Sequence, residues 1–384
     1  MELPHNVGLS LLLLISTPVF AQQATGMVSG TVRYGDTGSP ANGTRLWLTS
    51  VDAAEIARPD PKTGEYVVRD KDLDGMKSLS TVVRTDGSFV LQNVPTGTYF
   101  VHTFSPGYIS PDDTVFPTSN AAHVSMGPLP SPDALKVRVV ADQPAKPIQI
   151  ELQRGGTIEG IVRAAHAPDA TAGPPLSGIA VSAERKLGAN SYARVGGAAH
   201  TDDKGYYRLS GLARGSYIVF IGQGGPMVRT ANGSSMGSSG LPIYAPDTVR
   251  PTQAAVVNVR QAEAQHLDIV LPDKTTLHRI EGNVEVEGVE TLQSAIVRLY
   301  PTDEGGLTAA SPLSAQKSFS FLDVPDGDYT VEVEFPPTQE FISVDAANDV
   351  VHMRMVPPVY ATTAQDIHVA GHDVTDILLI PARR

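Results

Sequence analysis

The sequence predicts an all-β protein, built of three tandem β-sandwich domains behind a signal peptide. Three observations predict this fold class. A six-position motif occurs three times, and short strands alternate apolar and polar residues without a 3.6-residue apolar stripe. Glycine (35) and proline (30) also supply about one residue in six of the 384. Repetition at domain-sized spacing indicates one folding unit used three times, and turn-rich chains with short strands are typical of sandwiches.

The central motif predicts a β-hairpin. Counted from a leading aromatic residue, each copy has apolar residues at +2, +5 and +12, glycine at +8 and tyrosine at +10. The alternation places these side chains on one face, and glycine in the turn takes a positive φ without strain. The copies are Phe89, Leu91, Val94, Gly97, Tyr99 and Val101; Tyr207, Leu209, Leu212, Gly215, Tyr217 and Val219; and Phe319, Phe321, Val324, Gly327, Tyr329 and Val331.

An opening strand and a closing strand bracket each hairpin. The opening strand carries a glycine between two apolar residues, at Gly30, Gly160 and Gly282, and these glycines are 130 and 122 residues apart. The closing strand is a short apolar run at the end of each unit. The repeat therefore predicts three domains, at residues 22–153, 154–273 and 274–384.

The turn that enters the hairpin differs among the copies. Asp86 and Asp202 precede the first two hairpins, where aspartate bonds the main chain ahead of it and a glycine closes the turn. The third copy has residues 315–318, Ala-Gln-Lys-Ser, at this place. We therefore expect a different turn there.

The first 21 residues are typical of a secretory signal peptide. An apolar core within residues 7–21 is followed by Pro18 and ends in Val19, Phe20 and Ala21, which predicts cleavage after Ala21. The segment before the core has Glu2 and no basic residue, which leaves a buried N-terminal helix as the alternative. No later segment reaches the roughly 18 apolar residues that span a bilayer. We expect an exported protein, periplasmic or extracellular, without a transmembrane segment in the mature chain.

Charge and cysteine content exclude several classes of function. The formal net charge is −12 and the pI about 5.3, so no nucleic-acid partner is expected. The chain has no cysteine. Disulfides, thiol catalysis and cysteine-ligated metals are therefore excluded, and the domains must be stabilised by burial alone.

The opening glycine strand, the aspartate turn and the aromatic hairpin together resemble the carboxypeptidase regulatory-like domain family, over essentially the whole mature chain. The resemblance implies transthyretin-like (Ig-like) β-sandwiches of about seven strands, with an accessory, binding or scaffold role. We therefore expect an exported, non-enzymatic binding or scaffold protein of the cell envelope, whose partner is a glycan or another envelope protein. The alternatives are an accessory module of a secreted hydrolase and a purely structural spacer.

Two motifs that resemble catalytic sites are not expected to act as such. His278 and Glu281 have the spacing of a zinc pair, but they lie in a predicted strand, where positions i and i+3 face opposite sides. Ser235 lies in a Gly-x-Ser-x-Gly match, which requires a tight turn between a strand and a helix. Residues 222–240 are instead rich in glycine and serine and predict a flexible loop. We expect no catalytic residue.

An acidic segment in the first domain resembles the start of a calcium loop. Asp70, Asp72 and Asp74 stand at positions 1, 3 and 5, and Gly75 follows at position 6. Position 12, where a bidentate glutamate is usual, is Thr81. The segment is either a weak calcium site or a solvated acidic turn, and calcium is the only cofactor considered.

The only tryptophan of the chain is a candidate ligand-binding residue. Trp47 lies between Leu46 and Leu48, so on a strand either Trp47 or both leucines must face outward. In the first case it is an exposed platform on which a sugar can stack. In the second and commoner case it is a core residue, which is the placement we favour.

A tyrosine in a proline-containing segment also follows each hairpin. These candidate ligand-binding residues are Tyr108, Tyr244 and Tyr360. An exposed ring with polar neighbours in each copy would form a repeated binding loop. The alternative, which we favour, is a ring that covers the end of each sandwich.

Overall fold

The computed structural model describes most of the predicted mature chain. The described residues are 24–51, 65–69, 79–111, 116–118, 134–141, 143, 145–165, 173–189, 191–222, 227–230, 233–236, 240–272, 276–286, 292, 295–302, 309–345 and 350–384. They form 29 strands and one short 3₁₀ helix, Pro251–Gln253, so the protein is all-β as the sequence predicts. In these residues we find no helix with the length and apolar character needed to cross a membrane. The predicted signal peptide lies outside them.

The first sandwich pairs a three-stranded sheet with a four-stranded sheet. The strands in this part of the chain are β1 (Thr25–Tyr34), β2 (Arg45–Ser50), β3 (Glu65–Arg69), β4 (Leu79–Val82), β5 (Ser88–Pro95), β6 (Gly97–Phe104), β7 (Phe116–Thr118), β8 (Lys136–Val139) and β9 (Ile148–Leu152). The sheet orders are β5-β1-β9 and β4-β2-β6-β8, with β1 antiparallel to β5 and parallel to β9. A hydrophobic cluster that includes Val32, Leu46, Phe89 and Val101 forms the core.

The second sandwich repeats this arrangement with its closing strand divided in two. Its strands are β10 (Gly156–Ala164), β11 (Ala180–Lys186), β12 (Tyr192–His200), β13 (Tyr206–Leu212), β14 (Gly215–Ile221), β15 (Met227–Thr230), β16 (Gly233–Met236), β17 (Ile243–Tyr244), β18 (Val257–Val259), β19 (Ala264–His266) and β20 (Ile269–Leu271). β10 pairs with β13 and, in parallel, with β19 and β20. The other sheet has the order β17-β14-β11-β12-β7, and β18 also pairs with β14. Ile158, Val181, Tyr207 and Val219 belong to the core.

The third sandwich has the same seven-strand order as the first. Its part of the chain contains β21 (Leu277–Val284), β22 (Ile296–Pro301), β23 (Ala309–Pro312), β24 (Ser318–Pro325), β25 (Gly327–Glu334), β26 (Thr338–Asp345), β27 (Val350–Val356), β28 (Thr363–Val369) and β29 (Val374–Leu379). The sheets are β24-β21-β29 and β23-β22-β25-β28. Ile280, Val297, Phe321 and Val331 lie in its core. Each of the three sandwiches thus has its own hydrophobic cluster between two sheets.

The repeated hairpin residues fill these cores, as the sequence predicts. In all three copies the leading aromatic residue, the apolar residues and the tyrosine at +10 are at most 7% exposed. The tyrosine hydroxyl donates a hydrogen bond to the main-chain carbonyl four residues earlier, across the hairpin turn. These bonds join Tyr99 to Pro95 (2.9 Å), Tyr217 to Ala213 (2.6 Å) and Tyr329 to Pro325 (2.9 Å). Phenylalanine cannot make this bond, which accounts for tyrosine at this position in every copy.

The left-handed residue of the repeat is at +4, four positions before the turn glycine. The φ values at +4 are 55° at Asn93, 78° at Gly211 and 57° at Asp323. Each of these residues lies at a β-bulge, where the hairpin strand has one more residue than the opening strand. The turn glycine at +8 has a positive φ in two copies, 159° at Gly97 and 153° at Gly327, but not at Gly215. The predicted positive φ is therefore confirmed in the first and third copies and wrong in the second. The left-handed residue at +4 was not predicted, although asparagine, glycine and aspartate are the residues that most readily adopt this conformation.

The repeated glycine of the opening strand is required by a close approach of the closing segment. A Cβ at each position would overlap a main-chain carbonyl oxygen of that segment. The pairs are Gly30 with Ile148, Gly160 with Leu267, and Gly282 with Ile377. Because the first and last strands of each sandwich meet side by side there, only glycine fits.

The turn before the hairpin is the same in all three copies, although its residues differ. Asp86 Oδ1 accepts a hydrogen bond from the main-chain N–H of Ser88 (2.9 Å). Hydrogen bonds from the side chain of Ser88, and then from its main chain, hold the pKa of Asp86 below its usual value. Asp202 Oδ1 accepts two main-chain N–H bonds of 2.9 Å. In the third copy Ser314 Oγ accepts the main-chain N–H of Ser318 (3.1 Å) in the same way. The expected different turn is therefore wrong in geometry, because serine can replace aspartate as the acceptor.

Lys317 occupies the glycine position of this third turn. Its φ is 62°, where Gly87 and Gly205 have 84° and 74°. A side chain in the left-handed region costs roughly 1 kcal/mol relative to glycine. The third turn is therefore strained relative to the other two.

Long connections add strands beyond the sandwiches. β3 pairs with β27 in a three-stranded sheet of order β26-β27-β3, and β7 pairs with β12 of the second sandwich. β15 and β16 form a hairpin within residues 222–240. The predicted flexible loop is therefore wrong for 227–230 and 233–236, because main-chain pairing alone can join strands that lack an apolar pattern. Ser235 lies in β16, paired with Val228, and not on a turn into a helix.

Candidate functional site

Trp47 lies on the outer face of the four-stranded sheet of the first sandwich. Leu46 and Leu48 are fully buried, and the alternation of β2 turns Trp47 outward, where it is half-buried. The favoured core placement is therefore wrong. Two leucines bury more apolar surface in this strand than one indole in their place would.

His102 supports one side of the Trp47 ring. The two residues pair directly across β2 and β6, and their rings stack with centroids 5.2 Å apart and planes at 12°. His102 Nε2 lies 2.6 Å from Thr49 Oγ1, in a hydrogen bond that orients the imidazole. On the other side, Trp47 pairs with Ser80 of β4, which is small and exposed. The indole is thus supported on one side by the imidazole, and its cross-strand neighbour on the other side is a small residue.

Three apolar side chains extend this surface. β6 presents Phe100, His102 and Phe104 outward, because Val101 between them is in the core. Phe104 is 59% exposed and Val82 of β4 is 56% exposed. Large apolar groups gathered on one exposed face mark a binding surface.

Basic side chains surround the apolar ones. Arg45 lies between Val82 and Phe104 in the strand register, and Lys136 lies opposite Phe100. Lys136 Nζ is 5.2 Å from the centroid of the Phe100 ring, within range of a cation–π interaction. Among the described residues of β2, β4, β6 and β8, none of the outward side chains is a carboxylate. We define the aromatic face as Arg45, Trp47, Thr49, Ser80, Val82, Phe100, His102, Phe104, Lys136 and Arg138.

Tyr108 covers one end of the first sandwich instead of joining the aromatic face. Its ring stacks on Tyr34, with centroids 4.3 Å apart, and Arg154 lies over it at 5.8 Å. Its hydroxyl donates to Asp36 (3.0 Å), which also pairs with Arg154 (3.1 Å). Burial, and then the hydrogen bond to Asp36, raise the pKa of Tyr108. The Tyr108 ring is therefore engaged by Tyr34, Arg154 and Asp36.

Tyr244 and Tyr360 are buried rings, as the favoured interpretation of the sequence predicts, and are not exposed binding residues. Tyr244 is 0% exposed and Tyr360 is 3% exposed. Tyr244 packs against Phe220 with centroids 5.6 Å apart, and Tyr360 against Phe335 at 5.5 Å. Each ring removes more apolar surface from water as a cover over the sandwich than as an exposed platform. This is the placement that the sequence analysis favours.

The calcium prediction is not tested by the structure, because Asp70, Asp72 and Asp74 lie outside the described residues. Thr81, at position 12 of the proposed calcium loop, lies in β4 opposite buried Leu46. No group of three or more histidine, aspartate or glutamate side chains in the described part of the chain is placed to hold a metal.

His278 and Glu281, which have the spacing of a zinc pair, contact different residues. His278 Nε2 lies 3.0 Å from Asp326 Oδ1, whereas Glu281 Oε1 lies 3.1 Å from Arg279 Nη1. The two side chains therefore serve separate contacts at the surface of the third sandwich.

Comparison with known proteins adds distant structural matches. No family model and no curated protein matches the chain. The Bacillus anthracis TIE protein matches over 94% of this chain and 51% of its own, at 11% identity and a TM-score of 0.22, so this chain spans about half its length. The minor pilin GBS52 of Streptococcus agalactiae matches over 65% and 96%, at 11% identity and 0.27. BcpA, the major pilin subunit of Bacillus cereus, matches over 94% and 99%, at 9% identity and 0.19.

Because these TM-scores are low, the β-sandwich architecture is assigned from the strands described above and not from the matches. The resemblance to carboxypeptidase regulatory-like domains stays a prediction, because no family model matches. The β-sandwiches that this resemblance implies are present.

Proposed function

We propose that this protein is an exported, non-catalytic binding protein of the cell envelope that holds carbohydrate on the aromatic face. The observation that carries the proposal is the half-buried Trp47 ring stacked on His102. Sugar rings present C–H groups, which pack against the electron-rich faces of aromatic rings. A ring already held by a neighbour loses little freedom when a ligand stacks on it.

The polar groups beside the stack suit the hydroxyls of a sugar. Ser80 carries a hydroxyl opposite Trp47 in the sheet, and the Thr49 hydroxyl, which is hydrogen-bonded to His102 Nε2, lies two residues further along β2. Side chains on one face of a strand recur about every 7 Å, so a sheet face presents contacts in rows. Such a surface suits an extended glycan chain.

Export and the absence of catalysis are supported by the sequence. The apolar segment within residues 7–21 has the features of a signal peptide. The three repeats account for nearly all of the remaining residues, which leaves little sequence for a catalytic unit. The aromatic face itself has no described carboxylate to act as an acid or base.

A glycan array with purified residues 22–384 tests the proposal. We expect binding to at least one glycan, and we expect Trp47→Ala to weaken it at least tenfold. Phe341→Ala is the matched control, because Phe341 is an exposed aromatic residue (59%) on β26, in the third part of the chain. The control should bind like the wild type, and both variants should keep the wild-type melting temperature.

Other outcomes identify the alternatives. A silent array together with capture of an envelope protein would make the molecule a protein scaffold, and silence in both would make it a structural spacer. Turnover of a substrate that Ser235→Ala abolishes would make it a hydrolase. Full glycan binding by Trp47→Ala would place the site elsewhere.

The calcium site stays a separate proposal, based on Asp70, Asp72 and Asp74. A calorimetric titration with millimolar calcium should release or absorb heat, and Asp72→Asn with Asp74→Asn should abolish the signal. An unchanged melting temperature and no heat in the wild type would show that the protein does not bind calcium.

A further inference from the structure

We propose that the glycan bound by the aromatic face is anionic, an oligosaccharide or polysaccharide that carries carboxylate or phosphate groups. This inference rests on the proposed function. It is carried by the three cations of the face, Arg45, Lys136 and Arg138. They cluster with no described carboxylate among them, in a chain whose formal net charge is −12.

The cations of the aromatic face are available to a ligand. Several arginines elsewhere on the sandwiches are held by carboxylates, as Arg154 is by Asp36 (3.1 Å) and Arg298 by Glu334 (2.8 Å). Among the described residues, no ion pair engages Arg45, Lys136 or Arg138. An anion that arrives there replaces water and breaks no existing salt bridge.

The cations lie on both sides of the aromatic stack. Arg45 lies one outward position before Trp47 on β2, and Lys136 lies opposite Phe100, on the far side of β6. With a rise of about 3.3 Å per residue and a strand spacing of about 4.8 Å, Arg45 and Lys136 are roughly 16 Å apart, and His102 is near the midpoint. This span is longer than one sugar ring. The ligand that fits is therefore a chain with negative groups on either side of its stacked sugar.

The side-chain chemistry favours carboxylate or phosphate groups. Arginine donates two parallel hydrogen bonds to either anion, and lysine supplies a compact charge. Lys136 already lies over the Phe100 ring, so its charge is held at the apolar surface where the sugar would stack. Because the three groups are exposed, salt screens their attraction for a ligand.

The experiment compares glycans that differ in charge alone. Polygalacturonate and hyaluronan are each immobilised beside a neutral counterpart, the methyl ester of the first and the carboxyl-reduced form of the second. Polyglutamate serves as an anionic polymer without sugar. Binding of residues 22–384 is measured in low and high salt. The variants are Lys136→Glu with Arg138→Glu, and the control Lys204→Glu, which reverses an exposed charge in a turn of the second sandwich.

We expect at least one anionic glycan to bind ten times more tightly than its neutral form and polyglutamate, and to weaken at least fivefold in high salt. The double variant should lose tenfold or more, and Lys204→Glu should lose nothing. Equal binding of charged and neutral forms would overturn the inference and leave the proposed function standing. Equal binding of polyglutamate, or self-association without glycan binding, would also overturn the inference. The absence of any glycan binding here and on the array would overturn both.

Discussion

The first and third sandwiches have the same strand order, yet their four-stranded sheets present different outer faces. At positions +11, +13 and +15 of the hairpin the first has Phe100, His102 and Phe104, and the third has Thr330, Glu332 and Glu334. In the third, the outward groups pair among themselves. The contacts are Glu334 with Arg298 (2.8 Å), Glu332 with the Tyr300 hydroxyl (3.0 Å) and Thr330 with Asp366 (2.7 Å).

The two faces therefore differ in what remains for a partner. Glu332 and Glu334 are 7% and 9% exposed, whereas Phe104 and the cations beside it are exposed. The second sandwich is different again, because Ile218 and Phe220 at +11 and +13 are buried in a separate cluster. The inner positions of the repeat maintain the fold, and the outer positions are free to differ in function.

The largest expected effect comes from an inner position. Phe321 is fully buried in the third core, so Phe321→Ala should lower the free energy of unfolding by about 3–5 kcal/mol. Phe104→Ala, on the outer face of the first sandwich, should lower it by no more than about 1 kcal/mol. Urea unfolding followed by circular dichroism measures both. Equal losses would contradict the division between inner and outer positions.

A second effect of the inner positions depends on pH. Burial raises the pKa of Tyr207 and Tyr329 well above the ordinary value near 10. In the unfolded chain these tyrosines ionise near pH 10, whereas in the folded chain they stay protonated. Stability is therefore full below pH 10 and falls above it, by about 1.4 kcal/mol per pH unit for each tyrosine.

Melting temperatures between pH 8 and pH 11, with tyrosinate absorbance recorded in parallel, check this expectation. Tyr207→Phe with Tyr329→Phe should flatten the alkaline decline, although the neutral-pH stability is lower without the bonds from the Tyr207 hydroxyl to Leu267 and from the Tyr329 hydroxyl to Pro325. Ionisation of these tyrosines near pH 10 without unfolding would contradict their burial.

A triple substitution gives the outer face of the first sandwich the residues found in the third. Phe100→Thr, His102→Glu and Phe104→Glu together should abolish stacking support and repel an anionic glycan. We expect binding to fall at least tenfold, about 1.4 kcal/mol, on the array that identifies the ligand. The melting temperature should change little. Retained binding would show that the outer positions of β6 do not form the site.

The smallest effect concerns the turn of the third copy. Lys317→Gly should raise the free energy of unfolding by about 0.5–1 kcal/mol, because glycine adopts the left-handed φ of 62° without strain. Gly205→Ala in the second copy is the reverse change and should destabilise. A lower urea midpoint for Lys317→Gly, or a higher one for Gly205→Ala, would contradict the shared turn geometry.

Much of the fold could be predicted from the sequence because the repeated pattern itself indicates which side chains are buried. Three copies of one alternating pattern indicate which residues are inside, and the buried tyrosine at +10 is where the pattern places it. The bulge at Asn93 was not predicted, since glycine at +8 drew attention as the flexible residue. The pairing of β3 with β27 depends on main-chain bonds between distant segments, which leave no local pattern.

The site was predictable only in part. Trp47 could be assigned to one of two faces, and the choice between them depended on how two leucines pack in three dimensions. Phe100, His102 and Phe104 occupy every second position of a recognised strand, so a comparison of outer positions among the copies would have found them. For Tyr244 and Tyr360 the sequence left a binding role open beside the favoured buried placement, because a tyrosine near proline looks the same whether it covers a core or faces solvent.

The fluorescence of Trp47 offers the most direct test of the aromatic face, because it is the only tryptophan in the chain. Titration of the glycan that binds most tightly should change its emission in a saturable way, with a midpoint equal to the independently measured Kd. The emission should return to that of the free protein when high salt releases an anionic ligand. Tight binding that leaves the tryptophan emission unchanged would contradict the assignment of the site to this face.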